Sequence, residues 1–192
     1  MKRFEIINHL IKTFNYKTYL EIGTQFGDCF KQINIEHKEC VDPKKCFDGL
    51  THEMTSDDFF AQNTKTFDIV FVDGLHLEEQ STKDILNSLK VLNKNGTIVV
   101  HDCLPHCEEF IKVCWNGTTY RSIVDLRYNY PELNVTVVDS DCGCGIIRTE
   151  PPLQCIYSEV PIELAKTYYY YEKNKAKLMN VVSVETFLST FA

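Results

Sequence analysis

Two hydrophobic rhythms alternate along this chain. From 3 to 14, Phe4, Ile6, Ile7, Leu10, Ile11 and Phe14 recur at the spacing of an amphipathic helix. The short apolar run YLEI then predicts a strand near 18–22. GTQFGDCFKQI reads as a glycine turn leading into a helix, and KECVDP as a second strand near 38–42. LTHEMTSDDFFAQN holds a short strand followed by a helix capped at Ser56 or Asp57. FDIVFV, at 67–72, is close to continuously apolar, as expected of a strand covered on both faces. LEEQSTKDILNSLKVL returns to helical spacing, and Asn95-Gly96 turns the chain into TIVV, a further buried strand. Strand alternating with helix predicts an α/β fold built on a doubly wound, mostly parallel, Rossmann-like sheet.

The second half has another texture. NVTVVDSDCGCGIIR reads as two strands joined by a tight Asp-Cys-Gly turn, an antiparallel hairpin at one sheet edge. Between TIVV and that hairpin the pattern predicts two helices, broken at Trp115, Asn116 and Gly117. Beyond Pro151 and Pro152 come a looser stretch, a Tyr-rich helix (ELAKTYYYYEKNKAKLMN) and a last short helix capped by Ser183. No repeat or linker interrupts the 192 residues, which are expected to form one domain. Its core would span 1–150, with a C-terminal helical extension over 151–192.

Composition narrows the function classes. A net charge of -7 argues against a nucleic-acid partner, because phosphate binding needs basic patches. No apolar run approaches the roughly 18 residues of a membrane-spanning helix. Glu5, Asn8 and Lys12 break up any signal-peptide core in the N-terminal segment. The expectation is a cytoplasmic protein with no membrane partner. Nine cysteines, an odd number, read more simply as reduced, buried thiols than as a disulfide framework. Cys103, Cys107, Cys114, Cys142 and Cys144 lack the paired C-x-x-C spacing of structural zinc.

Candidate chemistry gathers where strands end. In doubly wound sheets, ligands bind beyond the carboxyl ends of the strands, at the switch point. Glu21 with Gly23, Asp42, Ser56 with Asp57, Asp73 with Gly74, and His101 with Asp102 all fall at such ends. Gly23 and Gly27 flank a strand-to-helix turn, where the missing Cβ atoms let a cofactor approach the backbone. Gln25 stands where a dinucleotide fingerprint would have its middle glycine. Asp42 lies about one helix and one strand beyond Glu21, where a carboxylate can accept both ribose hydroxyls of an adenosine ligand.

The order LEIGTQFGD, CVDP, FDIVFVDGLH, LNKNGTIVVHD resembles class I S-adenosylmethionine-dependent methyltransferases. It is most similar to the branch whose first motif reads E-x-G-x-x-x-G, which includes the catechol-type, metal-dependent O-methyltransferases. The resemblance covers about residues 3–148 and implies a seven-stranded sheet ending in an antiparallel hairpin. It implies S-adenosyl-L-methionine as cofactor and a small molecule or sugar as acceptor. Glu21, Gly23, Thr24 and Gly27 would lie around its methionine part, Asp42 at its ribose, and Ser56, Asp57 and Gly74, next to Asp73, near its adenine. By the same resemblance Asp73 matches a metal-binding aspartate, His76 stands where that family has a lysine base, and His101-Asp102 replaces an Asp-Asn metal pair. Asp73, His101 and Asp102 would then hold a divalent cation, with His76, His101 and Asp102 as the catalytic set. A histidine in that set softens the site, which brings Mn²⁺, Fe²⁺ or Zn²⁺ alongside Mg²⁺. A metal-free site with His76 or His101 as general base, and mere strand-end polarity, stay open.

Two function classes compete with methyl transfer: a nicotinamide-dependent oxidoreductase and a non-catalytic adenosine-ligand-binding module. The absent middle glycine and the lack of a Tyr-x-x-x-Lys pair weigh against the first. Trp115, the sole tryptophan, reads equally as a lid over the pocket and as packing against the sheet. His106, after Pro105, would lie in the same loop. Arg121 and Arg127 read as a solvated helix face before an anion site, and His9, His37 and His52 as surface residues. The tyrosines at 168–171 read as a mixture of core and interface, which makes that helix a candidate homodimer surface.

Overall fold

The computed structural model describes residues 1–112, 114–150 and 158–192. Its strands are β1 (Thr18–Ile22), β2 (His37–Asp42), β3 (His52–Glu53), β4 (Phe67–Val72), β5 (Leu92–Val100), β6 (Asn134–Val138), β7 (Cys144–Arg148) and β8 (Val181–Val182). They form one sheet in the order β3-β2-β1-β4-β5-β7-β6-β8. β7 runs antiparallel to both β5 and β6, and the other pairings are parallel. The Rossmann-like expectation and the terminal hairpin therefore hold. An eighth strand, β8, comes from the C-terminal extension and pairs with β6.

The helices are α1 (Arg3–Phe14), α2 (Ser56–Gln62), α3 (Glu78–Lys90), α4 (Thr119–Asn129), α5 (Ile162–Ala165), α6 (Tyr168–Leu178) and α7 (Val184–Thr190). They cover the sheet because successive strand residues point to opposite faces. Leu20, Ile22, Val70, Val72, Ile98 and Val100 pack with Ile85 of α3, Ile123 of α4 and Leu178 of α6. Their alternates Tyr19, Ile69, Phe71 and Val99 pack with Ile6, Ile7 and Leu10 of α1 and Phe187 of α7. Each side chain of this size taken out of water contributes about 1.5–3 kcal/mol, so both layers help to hold the sheet between them.

Four local expectations are corrected. The segment after β1 is not an α-helix: Gly23, Gln25 and Gly27 adopt positive φ, and only a 3-10 turn, Phe30–Gln32, forms. The cap of α2 is Thr55, whose hydroxyl accepts from the Asp58 N–H at 3.1 Å. Before Trp115 there is a 3-10 turn, Glu108–Ile111, rather than a helix. The Tyr-rich segment divides at Lys166 and Thr167, where the Thr167 hydroxyl caps α6 by accepting from the Tyr170 N–H. Cysteine behaviour follows the reduced reading: all eight described cysteines are free, and Cys40, Cys103 and Cys144 are buried.

Candidate active site

Backbone hydrogen bonds fix the site before any side chain is considered. The sheet ladder runs on past the strand ends: Gly23 N–H donates to Val41, Asp73 N–H to Ile22 and His101 N–H to Val72. Residues 23, 73 and 101 are thereby held side by side along one edge, as strands about 4.8 Å apart require. A Cβ on Gly23 would lie 2.2 Å from the Asp73 carbonyl oxygen. The glycine is what lets the ends of β1 and β4 approach each other.

Asp73, His76, His101 and Asp102 do converge. His76 Nε2 stands 3.4 Å from Asp73 Oδ1 and 3.3 Å from Asp102 Oδ2. His101 Nδ1 stands 3.2 Å from each of the same two oxygens. Asp102 has φ 60°, a left-handed conformation that turns its carboxylate back toward the end of β4. His101 is only 3% exposed and its Nε2 finds no hydrogen-bond partner among the described residues. His76 is the more accessible histidine, held from behind by the Trp115 carbonyl at its Nδ1.

Three residues outside the expected set complete the cluster. Arg3, at the start of α1, places Nη1 2.8 Å from Asp73 Oδ2. Asp141, on the β6–β7 turn, accepts from Arg3 Nε at 3.0 Å. Asn116, 2% exposed, donates from Nδ2 to Asp102 Oδ1 at 3.0 Å. None carries a sequence motif for this chemistry; Arg3 arrives from α1, Asn116 from the glycine break after Trp115, and Asp141 from the tight Asp-Cys-Gly turn of the hairpin.

The charges support one another. Burial works against the Asp73 carboxylate, yet His101, His76 and Arg3 outweigh it and hold its pKa well below the usual range. Burial likewise disfavours a charged His101, but Asp73 and Asp102 push its pKa up to about 10. Burial also disfavours a charged His76, but the same two carboxylates and the Trp115 carbonyl raise its pKa.

A divalent cation fits the geometry in part. One ligand atom each from Asp73, His76 and Asp102 lies within 4.8 Å of the others, a spacing one ion can bridge. His101 is not in that trio: its Nδ1 is wedged between both carboxylates, with Arg3 Nη1 at 3.2 Å. The ligand set expected from sequence thus changes one histidine for the other.

The cofactor-side residues divide. Asp42 accepts from the Gln25 and Lys44 N–H groups, each at 2.9 Å, leaving a lone pair on each oxygen. Thr24 is buried beside the Cys40 thiol, and its hydroxyl has no oxygen or nitrogen partner among the described residues. A Cβ on Gly74 would make ordinary contact with Asp84 Oδ2 and the Ile22 side chain, each at 3.6 Å. Glu21 is 1% exposed and bonded to the Tyr19 hydroxyl, with burial pushing its pKa up to about 8. It braces the sheet from inside. A Cβ on Gly27 would lie 2.9 Å from the Phe47 ring, so that glycine makes room for packing. Ser56 and Asp57 face Gln80, each 3.2 Å from its amide nitrogen, and Asp57 pairs with Lys83.

Around the site, Trp115 is 55% exposed and its ring packs against that of Phe110, so it is not a core residue. Arg127 is buried and donates to the Val135 carbonyl, which corrects its assignment to a solvated face. Arg121 is tied to the Lys166 carbonyl and to Glu78. His9 is half-buried and bonded to the Phe191 carbonyl, and His52 pairs with Glu39. Tyr171 is core and Tyr169 exposed, as a mixed run requires.

This sheet order, with the strands' carboxyl ends opening at the β1–β4 switch point, is that of a Rossmann-like doubly wound fold. A family model described as a methyltransferase domain matches residues 24–103. No curated protein sequence matches. An O-methyltransferase from Bacillus cereus, solved with S-adenosylhomocysteine, is similar at TM-score 0.55 and 11% identity, over 77% of this chain and 80% of that one. The O-methyltransferase TomG from Streptomyces achromogenes, solved with S-adenosylmethionine, gives 0.57 and 14%, over 75% and 78%. The S-adenosylhomocysteine-bound methyltransferase PaMTH1 from Podospora anserina gives 0.56 and 16%, over 77% and 78%. At such identities the likeness is one of fold. With the methyltransferase domain matched over residues 24–103, it shows a Rossmann-like fold of the kind these methyltransferases share. Among the described residues, no helix is long and apolar enough to cross a membrane.

Proposed function

We propose that the chain, acting as a single methyltransferase unit over 1–192, transfers the methyl group of S-adenosylmethionine to an oxygen of a small-molecule acceptor, with His76 taking the proton. The orientation of His76 carries the proposal. Its Nδ1–H donates to the Trp115 carbonyl, so Nε2 is the nitrogen that gains and loses the proton, and it faces Asp73 Oδ1 and Asp102 Oδ2. As the acceptor hydroxyl gives up its proton to Nε2, those carboxylates stabilise the imidazolium that forms. The acceptor oxygen is then free to attack the methyl carbon in line. Gly23, Thr24 and Gly74 would border the cofactor, and Asp42 would take its ribose hydroxyls with the two lone pairs left free.

A second reading is favoured by the spacing of Asp73, His76 and Asp102. These three would hold a divalent cation, which would lower the pKa of a bound acceptor hydroxyl. His76 then serves as ligand, and Asp73 and Asp102 as its partners.

Calorimetric titration tests the proposal. S-adenosylhomocysteine should bind and NAD should not, and Asp42→Ala should weaken binding by about 1.5–3 kcal/mol, the worth of charge-assisted hydrogen bonds. His76→Gln should abolish transfer while leaving that binding intact. Tight NAD binding with no response to S-adenosylhomocysteine would overturn the reading, and activity lost to EDTA and restored by Mn²⁺ would select the metal-bound form.

A further inference from the structure

The acid cluster already contains a cation. Arg3 Nη1 lies 2.8 Å from Asp73 Oδ2, while its Nε and its backbone N–H reach Asp141 Oδ2 at 3.0 and 2.8 Å. Asp141 is presented by a turn in which Asp141, Cys142 and Gly143 all have positive φ. Two carboxylates from separate loops thus clamp one guanidinium carried by α1. Both Arg3 and Asp141 lie outside the residues that match the methyltransferase domain.

We propose that Arg3 takes over at this cluster the electrostatic task of a divalent cation, and that its guanidinium keeps the cation affinity of Asp73, His76 and Asp102 low. The proposal rests on reading this cluster as the acceptor site. Its physical basis is charge placement. An ion bridging Asp73 Oδ1, His76 Nε2 and Asp102 Oδ2 would sit on the same carboxylate whose other oxygen Arg3 holds. Two cations on one part-buried carboxylate repel strongly, because little water lies between them to screen the charge. The guanidinium does not relieve this by losing its proton. An arriving ion must therefore bind against Arg3 or displace it from both Asp73 and Asp141.

Substituting Arg3 leaves the apolar face of α1, formed by Ile6, Ile7, Leu10 and Ile11, untouched. A charge series at position 3 is therefore a clean test. Mn²⁺ is titrated into the full chain without substrate, and free Mn²⁺ is read by its paramagnetic resonance signal. Arg3→Lys should bind as weakly as the parent. Arg3→Gln should bind at least about tenfold tighter, which corresponds to ~1.4 kcal/mol. Arg3→Glu should bind tighter still, and adding Asp73→Asn to Arg3→Gln should cancel the gain. Equal affinity across the series, or a parent protein that binds Mn²⁺ as tightly as Arg3→Gln, would overturn the proposal. S-adenosylhomocysteine binding is measured on the same samples: its absence in the parent would remove the methyltransferase reading, whereas the charge series stands or falls by itself.

Discussion

At the scale of single residues, the site depends on a few atoms that are absent as much as on those present. Gly23 has φ 83°, and any Cβ there would press on the Asp73 carbonyl and on Gly74. Both the backbone conformation and the contact forbid a side chain. Gly23→Ala should destabilise the chain by about 2 kcal/mol or more, read as a lowered urea midpoint, and should weaken S-adenosylhomocysteine binding with it. An unchanged midpoint would mean that β1 and β4 can part at no cost. Gly117 is under the same constraint: a Cβ would lie 1.8 Å from the His76 carbonyl, and its N–H donates to Phe110 and Lys112. A proline there would remove those bonds as well as the φ, so position 117 is structural and not a freely adjustable hinge.

At the scale of elements, His76 is held by a helix end that has no cap of its own. Leu77 offers α3 no side-chain oxygen. Instead the Thr118 hydroxyl, from the loop before α4, accepts from the Glu78 N–H at 2.8 Å. The Thr118 N–H in turn donates to the His76 carbonyl at 2.9 Å, and Ser122 closes the contact by donating to the Glu78 carbonyl at 3.0 Å. Thr118→Val keeps the shape and removes the acceptor. It should cost about 1–2 kcal/mol in chemical denaturation, the usual worth of a lost cap, and it should lower turnover more than cofactor affinity, because it loosens His76 and not Asp42. Equal loss of both, or of neither, would show that the loop does not position the histidine.

Across the whole molecule, the buried charges set how stability varies with pH. His101 has its folded pKa raised from 6.5 to about 10, so its stabilising contribution is full below about 6.5 and is lost as pH climbs through 10. Glu21 has its folded pKa raised from 4.5 to about 8, which favours the neutral acid; that contribution is lost between those values. Asp73 and Asp141 have lowered pKa values, and their contribution disappears only in acid, as pH falls below the ordinary 3.8. The melting temperature should therefore fall by several degrees from pH 6 to pH 9, at roughly 2–4 °C per kcal/mol for a chain of this size. Glu21→Gln, which is neutral throughout, should flatten the fall between pH 6 and pH 8. A melting temperature that rises over that range would contradict the assigned protonation states.

The sequence by itself determined the sheet and its polarity. Near-continuous apolar runs such as 67–72 make strands buried on both faces, periodic ones make α1 and α3, and residues at the ends of parallel strands share one edge whatever else happens. That is why Asp42, Asp73, His76, His101 and Asp102 were legible as one neighbourhood. Tertiary structure decided what the pattern does not encode. Glu21 and Asp73 are acids on the same face of neighbouring strands, but Glu21 lies within β1, buried and bonded to the Tyr19 hydroxyl, whereas Asp73 lies just past the end of β4, where it meets the cluster. His76, and not His101, shares the ion-sized spacing with Asp73 and Asp102, because a left-handed Asp102 and the arrival of Arg3 set which ring is enclosed. Arg3, Asn116 and Asp141 came from segments far apart in the chain, joined only when α1, the β5–α4 loop and the β6–β7 hairpin close on the same point. Periodicity records which face of an element is buried; it carries no record of which distant residue will be waiting there.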